Sequence, residues 1–148
     1  MQKLNFDLGI KEFEIGGGVL RFNPSDPNVY SRFVAAADKL TGIEQRLTAK
    51  AKEYEGKKAG EAMLQLMNEA DKETKDLLAW IFGAQNDFEA IFCGANILGV
   101  GSNGERIITN FIHAVQPILE KGARNCAKNQ VNQAKMNRAQ RRAAAKKR

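Results

Sequence analysis

The stretch of sequence that decides the fold is residues 10–26, which read IKEFEIGGGVLRFNPSD. On both sides of the three glycines, apolar side chains such as Phe13 and Ile15 alternate with polar or outward-facing ones. A period of two is typical of strands with one buried face, and glycine adopts turn conformations at little cost. We therefore predict a β-hairpin over residues 10–22. Because an isolated hairpin is marginally stable in water, it must pack on helices or extend a partner's sheet.

Outward from the hairpin, the sequence predicts a series of helices. Asp26 can cap a helix N-terminus, and Pro27 suits the first helical turn. Behind them, apolar residues recur every three or four positions, which is the pattern of a helix with one buried face. The predicted helical segments are residues 27–55, residues 63–82 as one helix or two, residues 87–92 and residues 105–121, with a break at Gly56 and Gly60.

Charge divides the chain into two parts. All 17 Asp and Glu lie at or before Glu120, whereas the last 28 residues contain ten of the 23 Lys and Arg. These ten residues are Lys121, Arg124, Lys128, Lys135, Arg138, Arg141, Arg142, Lys146, Lys147 and Arg148. Beyond Gly122 the large apolar residues nearly vanish. We predict a mainly α fold, with a small helical domain at 1–122 that carries the N-terminal hairpin, and a basic, flexible tail at 123–148.

The residue types exclude most recognisable catalytic and metal sites. Cys93 and Cys126 supply neither a disulfide framework nor a four-ligand zinc site, and we expect Cys93 to be a small buried hydrophobe. His113 has no nucleophile or carboxylate partner in a recognisable motif. Residues 99–104 have the GxGxxG spacing of a dinucleotide-binding loop, but no strand follows the next helix, so we interpret them as an inter-helix loop. We expect no enzymatic activity, cofactor or metal.

Two features bear on the cellular compartment. No apolar run approaches the about 20 residues that a bilayer span needs. Residues 1–7 lack the apolar core of a signal peptide. The sequence therefore predicts a cytoplasmic protein.

Several segments of the chain share a pattern with a known family. They are residues 13–15 (FEI), 22–26 (FNPSD), 81–83 (IFG), 88–92 (FEAIF) and 111–121 (FIHAVQPILEK). Over residues 4–122 the pattern resembles the small tail assembly chaperones of long-tailed, siphovirus-like bacteriophages of Gram-positive bacteria. The chain departs from that pattern at Cys93, where glycine is expected, and in a longer loop through residues 99–104.

The resemblance implies a function in virion assembly. Such chaperones coat the tape measure protein, a long and largely helical polypeptide, and keep it soluble until tail tube subunits polymerise around it. They act in the host cytoplasm and are absent from the mature virion. The implied partners are the tape measure protein, the tail tube protein and further copies of the chaperone. Family members are often made in two lengths by ribosomal frameshifting, and the codons of residues 145–148 could supply the slippery run.

An amphipathic client helix needs a surface lined by apolar side chains, and large aromatic residues dominate interface energies. Our candidates for client or self-contacts are Met63, Leu66, Met67, Leu77, Trp80, Ile81 and Phe82. The same residues would also suit the core of the domain. The hairpin offers a further surface, since its edge can accept an added strand.

The basic tail leaves an alternative function open, that of a small nucleic-acid-binding or regulatory protein. Its candidate residues are Arg124, Lys128, Lys135, Arg138, Arg141, Arg142, Lys146, Lys147 and Arg148. A basic segment attracts phosphate or acidic protein, although residues 121–148 contain no aromatic side chain on which a base could stack.

Overall fold

The predicted order of a hairpin followed by helices is the order that the fold shows. The computed structural model of the chain describes residues 1–54 and 60–146. Its elements are β1 (Lys11–Ile15), β2 (Gly18–Phe22), α1 (Pro27–Glu53), α2 (Gly60–Phe82), α3 (Phe88–Ile91) and α4 (Ile107–Lys146). The fold class is therefore confirmed as mainly α with an N-terminal hairpin. The expected break at Gly56, the helix end near Glu55, and Lys147 and Arg148 lie outside the described residues.

The two strands of the hairpin are buried to different degrees. β1 and β2 pair antiparallel, with Phe13 opposite Leu20. The side chains of Leu20 and Phe22 on β2 are 1% and 2% exposed, whereas those of Phe13 and Ile15 on β1 are only half-buried. The apolar face of the sheet is thus fully covered along β2 and partly open along β1.

A buried asparagine closes the outer edge of β2. The N–H of Arg21 donates to Oδ1 of Asn86 at 2.7 Å, and Nδ2 of Asn86 donates back to the carbonyl of Arg21 at 3.0 Å. The same amide group donates to the carbonyl of Phe82 at 3.1 Å. Asn86 therefore pairs with the outward backbone groups of Arg21 and ties the hairpin to the end of α2.

Helices α1 and α2 form an antiparallel pair. As predicted, Asp26 caps α1, and its carboxylate accepts from the N–H of Asn28 at 2.9 Å. Nε of Arg32, near the start of α1, donates to the carbonyl of Ile81, near the end of α2, at 3.1 Å. The segment that the sequence left as one helix or two is a single helix.

Six phenylalanines join the hairpin to the C-terminal helices. Their ring centroids lie 5.0–6.3 Å apart in a chain of contacts. The six are Phe13, Phe22, Phe82, Phe88, Phe92 and Phe111. Tilted and edge-to-face pairs at these distances are the favoured aromatic geometries. The core thus lies where the hairpin, the end of α2, α3 and the start of α4 meet.

Helix α4 continues well past its predicted end. We expected the strong helix to stop near residue 121, but it runs without a break to Lys146. Gly122 is buried, and a Cβ there would overlap the carbonyl of Pro24, so this glycine permits a close approach and does not end the helix. Every described side chain from residue 127 to 145 is exposed. A helix without a packed face is only marginally stable in water, which makes this basic end a flexible tail.

Candidate functional site

A shallow groove lies between α1 and α2 and contains the most exposed large aromatic side chain of the two helices. Its volume is about 610 Å³. We name it the Trp80 groove, and its lining includes Lys39, Gly42, Arg46, Glu73, Leu77 and Trp80. The side chain of Trp80 is 48% exposed, and Nζ of Lys39 lies 5.5 Å from its ring centroid. The ammonium group of Lys39 thus lies over the ring, and the exposed part of the indole is an apolar surface that an approaching side chain can cover.

A charged pair joins α1 to α2 at the Trp80 groove. Nη2 of Arg46 and Oε2 of Glu73 form an ion pair at 2.6 Å, with side chains 49% and 52% exposed. An ion pair so open to water adds little to the stability of the fold. It instead gives the groove an apolar centre with a polar rim, which is the usual composition of an interface.

Gly42 is an exposed glycine in the lining of the Trp80 groove. It lies in the interior of α1, where glycine costs about 1 kcal/mol relative to alanine. No atom within 4 Å would meet a Cβ built at this position. Packing inside the described chain therefore does not require glycine here. A small residue at this position does leave room for a partner's side chain beside Trp80.

The structure separates the residues that we predicted to contact partners. Ile81 and Phe82 are 0% and 2% exposed and belong to the core, because the helical phase of α2 turns them inward. In this fold they cannot touch a partner. Four other candidates are half-buried and pack against the core, namely Met63, Leu66, Met67 and Leu77. Leu64, which we did not predict, is 63% exposed beside them.

The exposed half of α4 has its positive charge concentrated on one face. Six basic side chains follow one another at steps of three, four or seven residues, and all are exposed. We name them the basic stripe: Lys121, Arg124, Lys128, Lys135, Arg138 and Arg142. At 100° per residue they fall within an arc of about 100° and span about 32 Å. No Asp or Glu follows Glu120 to neutralise them. Arg141 lies outside this arc, and the side chain of Lys146 is not described.

A buried lysine links α2 to the segment that follows α3. Nζ of Lys75 lies 2.9 Å from a carboxylate oxygen of Asp71, 2.9 Å from one of Glu89 and 2.9 Å from the carbonyl oxygen of Ala95. The other oxygen of Asp71 accepts from the N–H of Ile97 at 2.8 Å. Burial lowers the pKa of Lys75, but the hydrogen bonds and charges of Glu89 and Asp71 outweigh it and raise the pKa above its ordinary value. All three N–H donors of the Lys75 ammonium group therefore have partners within the chain. We interpret this cluster as a structural link between α2, α3 and the segment that follows α3.

The remaining reactive side chains are dispersed. Cys93 is exposed, so our expectation that it is buried was wrong; it stands at a turn with a φ of 53°. The side chain of His113 is 64% exposed, and its Nδ1 lies 3.8 Å from a carboxylate oxygen of Glu105. Across residues 1–54 and 60–146, no group of three or more His, Cys, Asp and Glu side chains could hold a metal ion. Those same parts contain no helix both long and apolar enough to cross a bilayer.

The glycine-rich loop uses its amides internally. The N–H of Gly101 donates to the carbonyl of Glu105 at 2.8 Å, and that of Gly104 donates to the carbonyl of Gly101 at 3.0 Å. A dinucleotide-binding loop presents such amides to a pyrophosphate. The hydrogen bonds therefore favour our interpretation of residues 99–104 as an inter-helix loop.

Sequence reasoning missed one exposed apolar segment. Leu4, Phe6, Leu8 and Ile10 precede β1 and are 85%, 78%, 58% and 46% exposed. Their spacing of two residues was the available signal, since it is the pattern of a strand with one apolar face.

Comparison with models of protein families, with curated proteins and with solved structures gives no match to this chain. The surfaces described above, together with the resemblance noted in the sequence, are therefore the basis for a proposal of function.

Proposed function

We propose that the protein is a bacteriophage tail assembly chaperone that binds the tape measure protein, keeps it soluble and helps the tail tube polymerise around it. On this proposal it acts in the host cytoplasm, is absent from the mature virion and catalyses no reaction. Its partners are the tape measure protein, the tail tube protein and further copies of itself.

The observation that carries the proposal is the Trp80 groove. The half-exposed indole of Trp80 lies in the same groove as Gly42, between two long helices. A Cβ built at Gly42 would meet open space. An amphipathic helix binds by laying its apolar face into a groove of this kind, with anchor side chains spaced by three or four residues. Trp80 suits the role of anchor, since aromatic residues contribute most at the centres of interfaces.

The rim of the groove is suited to a client of varied sequence. Exposed charges such as Lys39, Arg46, Glu73 and Asp76 are of both signs and surround the apolar centre. A long helical client presents different polar side chains along its length, and exposed ion pairs exchange partners at small cost. The apolar contact with Trp80 would thus supply the affinity, while the charged rim would accept many different polar side chains of the client.

The test is coexpression with the tape measure protein of the same genome. We expect the client to be soluble only when the chaperone is present, and to elute with several chaperone copies per client in size exclusion with light scattering. Trp80→Ala should return much of the client to the insoluble fraction. A client that stays insoluble while the chaperone elutes alone would contradict the proposal.

Tyr30→Ala provides the matched control for Trp80→Ala. Tyr30 is an aromatic residue of α1, is 38% exposed and does not line the groove. Both changes shorten an exposed aromatic side chain on a helix, so they should affect the unfolding temperature to a similar and small degree. Only the change at Trp80 should reduce the solubility of the client.

The basic stripe favours a second candidate function, the binding of nucleic acid. Its six cations lie on one side of an exposed helix, over a length that matches about 10 base pairs of duplex. On this alternative, the affinity for nucleic acid falls steeply as salt rises, because each phosphate contact releases a counterion.

Two sets of changes distinguish the candidate functions. Changing Lys135, Arg138 and Arg142 to Gln in the full chain should abolish nucleic-acid binding if that is the function, and should leave the solubility of the client unchanged if the protein is a chaperone. Trp80→Ala should reduce the solubility of the client if the protein is a chaperone, and should leave nucleic-acid binding unchanged if that is the function. Fluorescence anisotropy with a labelled duplex at several salt concentrations measures the first property, and the coexpression assay measures the second.

A further inference from the structure

The segment that precedes the hairpin has the pattern of a strand but no strand beside it. We name residues 3–10 the arm. Of the twelve large apolar side chains that are exposed in the described chain, four belong to the arm, and a fifth is Met1. Exposed apolar side chains concentrated in one short segment mark a surface that another molecule covers.

The base of the arm is held in a fixed position. Nδ2 of Asn23, just beyond β2, donates to the carbonyl of Leu8 at 3.1 Å. The N–H of Gly9 donates to a carboxylate oxygen of Asp7 at 2.7 Å, and Gly9 has a φ of 70°. These contacts turn the chain before β1 begins. The arm forms no ladder with its own β1, since the described sheet contains β1 and β2 alone.

The outer edge of β1 is open. Arg21 directs its N–H and carbonyl away from β1, toward Asn86. In an antiparallel pair, two such opposite residues both direct these groups outward. Glu12 is opposite Arg21, so its N–H and carbonyl point out of the other edge, as do those of Glu14 two residues on. β1 therefore offers a row of backbone groups that a further strand could pair with.

We infer that the arm of a second copy of this chain adds to β1 as a third strand. The half-buried Phe13 and Ile15 show that cover is missing on the β1 side of the sheet. The arm carries the apolar side chains of one strand face, and Leu4 and Phe6 can extend the row that Phe13 and Ile15 begin. The polar residues between them then join Glu12 and Glu14 on the opposite, solvent-facing side.

The arrangement makes each copy both a donor and an acceptor. One chain has one arm and one open edge, so the contact either closes as a reciprocal dimer or repeats from copy to copy. Strand addition needs only the backbone of β1 and a few apolar contacts. The inference does not rest on the proposed chaperone function, because it concerns the isolated protein.

The first experiment changes the arm in the full chain. We expect the wild type to self-associate in sedimentation and light scattering, and Leu4→Ser with Phe6→Ser to raise the dissociation constant by at least about tenfold. The control is Val131→Ser with Met136→Ser, two apolar side chains of α4 that are each 54% exposed. It should self-associate as the wild type does. A monomeric wild type, or an arm variant that assembles normally, would overturn the inference.

The second experiment blocks the acceptor. Glu12→Pro removes the outward N–H of Glu12 and should leave the hydrogen bonds between β1 and β2 intact, because proline is tolerated where the N–H faces away from the sheet. We expect it to weaken self-association, whereas Glu12→Gln, which keeps the N–H, should not. Matching unfolding temperatures for the two variants confirm that the hairpin is folded. Equal self-association of the two would overturn the inference.

Mixing the variants tests whether arm and edge bind each other. The arm variant retains an open β1 edge, and Glu12→Pro retains an intact arm. We therefore expect an equimolar mixture to form a one-to-one complex at concentrations where each variant alone is monomeric. A mixture that remains monomeric would mean that the arm binds elsewhere, on its own chain or on another partner, and would contradict the inference.

Discussion

The two halves of α4 are parts of one helix, yet they have opposite relations to the rest of the molecule. In the first half, Ile108, Phe111, Val115 and Leu119 are 1–5% exposed and pack in the core. The second half exposes every described side chain from residue 127 onward and carries the basic stripe on the side roughly opposite to that apolar row. The difference shows that helix formation and domain packing are separate properties. The first half is stabilised by tertiary contacts, and the second depends on the intrinsic helix propensity of its residues.

The largest expected difference in the free energy of unfolding is between a side chain truncated in the first half of α4 and one truncated in the second half. Phe111→Ala should lower the free energy of unfolding by about 3–5 kcal/mol, because it leaves a cavity among Phe82, Phe88 and Phe92. Met136→Ala should change it by less than about 0.5 kcal/mol, since Met136 is 54% exposed. Denaturant unfolding of both variants measures the contrast. Similar losses at the two positions would show that the second half also packs in the domain.

A second comparison concerns a buried lysine of α2 and an exposed lysine of the second half of α4. Lys75→Met should cost about 3 kcal/mol, because it leaves the carboxylate of Asp71, 17% exposed, without its partner. Lys135→Met, in the basic stripe, should cost less than about 0.5 kcal/mol. Urea unfolding near neutral pH measures both.

The cost of Lys75→Met should also depend on pH in one direction. The pKa of Lys75 is raised in the fold despite the opposing effect of burial. The stability that its charge confers is therefore fully present below the ordinary pKa of a lysine and is lost as pH rises through the raised value. The difference between wild type and variant should shrink only in strongly alkaline solution. A difference that shrinks between neutral pH and the ordinary lysine pKa would contradict this account.

A smaller effect is expected at Gly122, where the packed half of α4 ends. Gly122→Ala should destabilise the protein by about 1–3 kcal/mol, because the added Cβ overlaps the carbonyl of Pro24. Gly60→Ala, in α2, meets open space and should be neutral or stabilising by up to about 1 kcal/mol. Thermal unfolding checks both. If Gly122→Ala stabilised the protein, Gly122 would not be in close contact with Pro24, and the packed half of α4 would end at another residue.

The elements of the fold were predictable because local signals and packing agree in them. Asp26 and Asp87 cap α1 and α3, and both positions are marked in the sequence by a capping residue before an apolar period. The buried residues of α1, including Ala36 and Leu47, belong to the apolar residues that recur every three or four positions in the sequence. Such agreement between local preference and tertiary structure is what makes a short sequence pattern informative.

The surfaces were less predictable, because sequence periodicity does not fix what covers a face. Residues 77–82 are all apolar, so the pattern could not show that Trp80 turns outward while Phe82 is buried. The loss of large apolar residues beyond Gly122 suggested a helix end, whereas α4 continues and Gly122 permits a close approach that only the tertiary structure defines. At Cys93 the apolar neighbours suggested burial, but the positive φ there belongs to an exposed turn, a conformation that glycine adopts more readily than cysteine.

The central claim is that the Trp80 groove binds the tape measure protein, and filling the groove tests it most directly. Gly42→Gln adds a side chain to the open space at the lining of the groove, and Gly60→Gln adds the same side chain to α2 at a position outside the groove. Each variant would be coexpressed with the tape measure protein, and the soluble fraction of the client measured. We predict that both variants fold as stably as the wild type, and that the client becomes insoluble with Gly42→Gln alone. A client that remains equally soluble with both variants would contradict the account.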